Sequence, residues 1–239
     1  MPTADGDPLL VRLARLRAGI DSAARQAGRA PADVALLLAT KTQPAAQILF
    51  ALHAGYTLIG ENRVQELVEK NDALSVVPHT THFIGHLQTN KINQVLGRIS
   101  CLESLDSIEL AGKLDSRLAA RGLDLDVLIQ VNVSGEPSKS GVLPTAAADL
   151  VSAVAGLKNL TVRGFMTIGL NSPDRAAVRA GYRLLAGLRD EVVADRVPGA
   201  SQATQLSMGM SGDFADAIAE GATIVRIGSA VFGQRAKLT

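Results

Sequence analysis

The sequence predicts an α/β fold, a single (β/α)8 TIM-type barrel with one extra helix at the N-terminus. Eight short, mostly apolar runs alternate with seven stretches of helical period, which implies parallel βα units. The 239 residues match the roughly 250 that such a barrel fills as one unit. No linker, low-complexity stretch or composition break divides the chain, so residues 1–239 are expected to form one domain.

Each element has its own signal. From Pro8 to Gly28, the residues Leu9, Leu10, Leu13, Leu16, Ile20 and Ala24 recur at three-four spacing with Arg and Asp between them, and Gly28 stops the helix. Residues 34–40 are apolar on both faces, as a strand covered on both sides must be. Further strands are expected at 57–60, 82–85, 99–103, 126–133, 162–168, 205–208 and 223–232. Helices are expected between them at 44–54, 63–74, 89–96, 107–120, 144–157, 173–195 and 213–220. Gly55, Gly97, Gly122, Gly156 and Gly221 end helices before the following strand. The rival architecture is an open doubly wound sheet. Its dinucleotide fingerprint is missing, because the first strand ends in Ala-Thr-Lys and Gly209-Met210-Ser211-Gly212 lacks the G-x-G-x-x-G spacing.

Composition narrows the function classes. Lys and Arg number 24 against 23 Asp and Glu, a formal charge of +1, and no block of like charges occurs. Nucleic-acid and membrane-surface roles are therefore not expected. Hydrophobic residues make up 47% but aromatics only 3%, with no Trp. The core is aliphatic and stacking platforms are scarce. The single cysteine, Cys101, has no partner for an intramolecular disulfide or a thiolate metal site and reads as a small buried hydrophobe. Asp5, Asp7 and the arginines at 12, 15 and 17 interrupt the first apolar run, so a soluble cytoplasmic protein is expected.

In a (β/α)8 barrel, chemistry gathers at the C-terminal ends of the strands. Strand one ends in Thr40-Lys41-Thr42. A lysine there points into the barrel mouth, where partial desolvation favours a nucleophilic amine suited to a Schiff base; a solvated loop lysine is the plainer reading of Lys41 alone. Strand two ends in Glu61-Asn62-Arg63, where Asn62 could equally be a helix N-cap. His82 and His86 share a strand face about 13 Å apart, too far for one metal ion. The small-residue stretch from Ser207 through Met208 to Gly212, and Arg226-Ile227-Gly228-Ser229, lie at the ends of strands seven and eight, the usual phosphate site of these barrels. Barrel closure places strand eight beside strand one, so Lys41 joins that site. An amine, an anion cradle and a strand-borne arginine together match pyridoxal 5'-phosphate.

The motifs Ala39-Thr40-Lys41-Thr42, Gly60-Glu61-Asn62-Arg63-Val64-Gln65-Glu66, His82-Phe83-Ile84-Gly85-His86-Leu87-Gln88-Thr89-Asn90-Lys91 and Leu206-Ser207-Met208-Gly209-Met210-Ser211 occur in order. With Val162 to Ile168 and Val225 to Gly233, they resemble the pyridoxal phosphate homeostasis protein family over nearly the whole chain. The resemblance implies a barrel like the N-terminal domain of alanine racemase, without the racemases' extra β-domain. It also implies that Lys41 carries the cofactor and that Ser207 and the backbone around Gly228 and Ser229 hold the phosphate. By the same resemblance, Arg226 is expected to face the pyridine nitrogen and Asn62 and Met208 to line the pocket. Thr81 stands where the family often has Trp, and Arg63 where Tyr is common; both departures bear on rim packing and partner contacts.

The same residues bear on enzyme against carrier. An arginine at the ring nitrogen donates a hydrogen bond and leaves that nitrogen unprotonated, which weakens the electron sink. Racemisation tolerates a weak sink if two bases flank the α-carbon. The visible base is Lys41; Tyr56 precedes strand two and Tyr182 lies inside a helix, away from the rim. The expectation is a non-catalytic binder that holds pyridoxal phosphate as a Schiff base and passes it, by transient contact, to apo pyridoxal phosphate enzymes. The alternative is a slow amino-acid racemase. No interface stripe stands out, and a monomer is expected.

Overall fold

The structure is a computed structural model that describes residues 7–136 and 139–233. Asp5, used above, lies outside the described residues, as do both ends of the expected 1–239 domain.

Eight parallel strands close into a barrel in sequence order: β1 (Ala35–Ala39), β2 (Leu58–Glu61), β3 (Thr80–Phe83), β4 (Cys101–Leu105), β5 (Leu125–Gln130), β6 (Leu160–Met166), β7 (Gln205–Ser207) and β8 (Ile224–Ile227). β8 pairs with β1 in parallel, with Leu37 beside Arg226. The surrounding helices are α1 (Pro8–Gln26), α2 (Ala45–His53), α3 (Val64–Leu74), α4 (Ile92–Val95), α5 (Ile108–Ala119), α6 (Ala147–Ala155), α7 (Arg175–Ala194), α8 (Phe214–Ala219) and α9 (Ser229–Phe232). Among the described residues no helix is long and apolar enough to cross a membrane.

The extra helix α1 starts where the sequence says it should. Asp7 accepts the Leu9 N–H at 2.7 Å and Pro8 occupies the first turn. Its buried face of Leu9, Leu13, Leu16 and Ile20 packs against α8 and α9. α7 is locked to α8 and the turn behind it by arginines at four-residue spacing: Arg175 pairs with Asp216, and Arg179 and Arg183 both reach Glu220.

Strand residues alternate between two cores. Leu36 and Leu38 of β1 belong to the large aliphatic layer between sheet and helices. Cys101, Leu128 and Met166 form a separate small cluster on the inner side of the barrel wall. The lone cysteine is thus a buried hydrophobe, and burial pushes its thiol well above the ordinary value.

Several sequence expectations shift, the strand expected at 126–133 ending at Gln130 among them. The apolar run 223–232 is not one strand: β8 stops at Ile227 and α9 follows. The chain turns at Gly228, where a Cβ would lie only 3.0 Å from the Ala39 carbonyl oxygen, so a longer side chain cannot sit against β1 there. The third strand starts two residues earlier than expected and the fourth ends two residues later. Parallel pairing accompanies both, with Thr80 opposite Leu58 and Leu105 opposite Ile129.

Candidate functional site

A pocket of about 420 Å³ opens at the C-terminal ends of the strands, within the usual range for a small-molecule site. Lys41, Asn62, Arg226, Gly228 and Ser229 line it, together with Ala39, Ile84, Met166, Ile168, Ser211 and Gly212. The alternation of β1 explains Lys41: Ala39 faces the pocket, and Lys41, two residues on, continues on that side past the strand's end. Arg226 is level with Leu37, four residues below Lys41, so the guanidinium floors the pocket while the amine enters from the rim.

Arg226 is fixed from beneath. Its Nη1 donates to Ser207 Oγ at 2.8 Å and its Nη2 to the Thr167 carbonyl at 2.6 Å. Ser207 in turn donates to Glu103 Oε2 at 2.6 Å, and Glu103 Oε1 meets His82 Nδ1 at 2.7 Å. The chain runs from β3 through β4 to β7 and β8, so it crosses the barrel interior. Burial lowers the pKa of Arg226, opposed by the nearby Glu103 charge. Burial also acts to raise Glu103, but the His82 hydrogen bond and charge, the Arg226 charge and the Ser207 hydroxyl together hold its carboxyl below the ordinary range.

Past the ends of β7 and β8, the Ser211 and Ser229 hydroxyls stand 3.2 Å apart, with the Ala230 N–H 3.4 Å from Ser211 Oγ. The loop before α8 is anchored by Asp213, whose Oδ1 accepts the Met210 N–H at 2.6 Å and whose Oδ2 accepts the Tyr182 hydroxyl at 2.8 Å. Burial, and then the Asp213 charge, push the Tyr182 hydroxyl far above its ordinary value. Tyr182 therefore reaches the strand-seven loop from within α7, closer to the rim than its place in a helix suggests, but as a buried anchor.

Five of the seven residues singled out in the sequence, Lys41, Asn62, Arg226, Gly228 and Ser229, come together around this pocket. Ser207 and Met208 do not line it. Ser207 spends its hydroxyl on Glu103 and Arg226, and Met208 is buried in the layer between sheet and helices. Asn62 is not the cap of α3, a position held by Arg63. His82 and His86 are separated in role as well as distance: His82 is buried on Glu103 while His86 is exposed. Among the described residues no cluster of three His, Cys, Asp or Glu could hold a metal ion. Sequence reasoning missed Glu103 and Thr167, and it read Ser211 and Asp213 only as part of the small-residue stretch after strand seven. Glu103 had a readable signal, a carboxylate inside the apolar run Cys101-Leu102-Glu103-Ser104-Leu105.

The family model for the alanine racemase N-terminal domain matches residues 11–236. The pyridoxal phosphate homeostasis protein of Aquifex aeolicus is 42% identical over 227 residues, spanning 94% of this chain and 97% of the relative. The crystal structure of an unknown protein from Bifidobacterium adolescentis superposes with a TM-score of 0.90 at 41% identity, covering 94% of each chain. PipY of Synechococcus elongatus, solved with PLP bound, superposes with a TM-score of 0.83 at 32% identity over 94% of this chain and 100% of PipY. The chain belongs to the alanine racemase N-terminal domain family and, within it, to the pyridoxal phosphate homeostasis proteins.

Proposed function

We propose that this chain binds pyridoxal 5'-phosphate through a Schiff base on Lys41, without a catalytic cycle of its own, and takes part in intracellular supply of the cofactor to apo-enzymes. The observation that carries this is the convergence of one amine, Lys41, and one buried guanidinium, Arg226, on a single pocket beside a small-residue wall. The residues fit the group. A Cβ built on Gly212, which lines the pocket, meets nothing within 4 Å, so the wall has room for an anion. The hydroxyls of Ser211 and Ser229 supply neutral donors to a phosphate.

When bound, pyridoxal phosphate supplies an aldehyde for a primary amine and a ring that accepts electron density. Lys41 would hold the aldehyde carbon. Arg226 has no acceptor and does not give up its proton, so it would donate to the ring nitrogen without protonating it. Its other N–H groups on Ser207 and Thr167 keep it from swinging away. A racemase requires a second base opposite Lys41. Tyr182 is committed to Asp213, Tyr56 is half-buried ahead of β2, and neither lines the pocket. The proposed compartment is the cytoplasm and the proposed state a monomer.

The test is an absorption titration with pyridoxal phosphate, borohydride reduction, peptide mapping and an amino-acid racemisation assay on the same sample. The expected result is an adduct on Lys41 with no turnover. Lys41→Ala is expected to abolish the adduct and retain weak, phosphate-anchored binding. A full-strength adduct in that variant, or racemisation dependent on substrate, overturns the proposal.

A further inference from the structure

The loop that carries Lys41 is held from outside the barrel by a single ammonium. Lys70 Nζ, on α3, donates to the Thr40 carbonyl at 3.0 Å, to Glu61 Oε1 at 2.9 Å and to Glu66 Oε2 at 3.0 Å. Those three acceptors use all three of its protons. Glu66 Oε2 also accepts the Thr42 N–H at 2.6 Å, and Thr40 Oγ1 donates to Glu61 Oε1 at 2.6 Å. Both neighbours of Lys41 in the chain are therefore tied to one point.

Two features indicate that this arrangement does more than stabilise the fold. Thr42 has φ of 63°, in the left-handed region, where a β-branched residue is a genuine outlier. Strain of this kind persists only where surrounding contacts over-determine it, and it gathers at functional sites. Glu61 is 1% exposed, yet its Oε2 has no hydrogen-bond partner among the described residues. An orphaned carboxylate oxygen is costly to bury, so a network selected for stability alone is poorly served by it.

We propose that Lys70 and Glu66 are positioning residues for Lys41, holding the 40–42 turn in its strained form so that the lysine side chain enters the pocket. The inference rests on the reading of Lys41 as the cofactor lysine. Glu66 fixes the turn through the Thr42 N–H, and Lys70 orients Glu66 while fixing the strand end through the Thr40 carbonyl. Neither residue touches the pocket.

The test compares two reagents on the intact protein. Pyridoxal phosphate, trapped with borohydride, reports an amine that must be aimed; formaldehyde with cyanoborohydride methylates any accessible amine and needs no orientation. Labelling of Lys41 is quantified by peptide mass spectrometry against the exposed Lys158. Glu66→Ala is expected to slow capture of pyridoxal phosphate about tenfold, the effect of losing one charge-assisted hydrogen bond, while methylation of Lys41 stays within about twofold. Glu66→Gln, which keeps an acceptor for the Thr42 N–H, is expected to recover most of the capture rate. An unchanged capture rate in Glu66→Ala, an equal loss with both reagents, or no recovery in Glu66→Gln overturns the inference. Wild-type protein that forms no pyridoxal phosphate adduct at Lys41 overturns the functional reading and this inference together, which separates the two failures.

Discussion

Replacing Glu103 with Gln isolates one charge beneath the pocket. The amide can keep both contacts of the carboxylate: its oxygen accepts the Ser207 hydroxyl and its NH2 donates to His82 Nδ1 in the tautomer that presents a lone pair there. What disappears is the negative charge facing Arg226. The two legs through Ser207 Oγ, 2.6 and 2.8 Å, put the charges no more than about 5.4 Å apart. At an effective dielectric constant of about 20, that separation corresponds to about 3 kcal/mol, which agrees with the range for removing one partner of a buried pair. Unfolding entropy of about 2.1 cal/mol/K per residue over 239 residues converts this to a melting temperature lower by about 6 °C. The assay is thermal unfolding at neutral pH and again in acid. Glu103 has a folded-state pKa below the ordinary 4.5, so its contribution is complete above that value and is lost as pH falls through the depressed one. The deficit of Glu103→Gln should therefore be largest at neutral pH and shrink in acid. A shift under 1 °C at pH 7, or a deficit that does not change with pH, refutes the coupling of Glu103 to Arg226.

Three further outcomes are expected. Gly85→Ala would place a Cβ 2.1 Å from the Asn62 carbonyl oxygen; it should cost about 1–3 kcal/mol of stability by overpacking and weaken pyridoxal phosphate binding through Asn62, and an unaltered denaturation midpoint would show that the strands part freely. Arg226→Ala should lower affinity for pyridoxal phosphate about tenfold to a hundredfold, as loss of a charged donor does, and alter the absorption spectrum of the bound form while the adduct stays on Lys41; equilibrium titration at matched pH decides it. Glu61 behaves oppositely to Glu103: burial, the largest effect, outweighs its Thr40 and Lys70 hydrogen bonds and raises its pKa above 4.5. Its ionisation therefore costs stability as pH rises through the raised value, and Glu61→Gln should gain on the wild type between pH 4 and 7. A difference in unfolding free energy that is flat over that range contradicts the assignment.

The barrel and the Lys41 corner were legible because period-two and period-3.6 patterns are strong in long alternating chains. The eighth strand was not, because a short, mostly apolar run such as residues 223–232 reads equally as strand or buried helix, and the structure divides it into β8 and α9. Ser207 and Met208 are instructive for another reason. Adjacent strand residues point to opposite faces, so a single pocket cannot take both side chains, and the sequence alone contains that constraint. Ser207 faces inward but lies a layer too deep, behind Arg226, a depth set by its single pairing with Ile224 of β8. The Lys70 contacts were hidden because they join residues 9 and 30 positions apart on different elements, which no local pattern reports.

Two charge networks, one buried and one part-buried, end on a pocket residue and on the turn that carries another, and their placement argues for a common purpose. One lies inside the barrel and ends on Arg226; the other lies outside it and ends on the turn of Lys41. Networks of this kind rarely add stability relative to apolar packing, since desolvation offsets attraction. They do remove rotational freedom: Arg226 is held by two acceptors, and the backbone on each side of Lys41 by one. A protein that holds a cofactor at two points gains affinity when both points are fixed beforehand, because ordering them on binding would cost free energy. On the proposed reading, that requirement accounts for ionised residues in a barrel whose hydrophobic core is mainly Leu, Val, Ile and Ala.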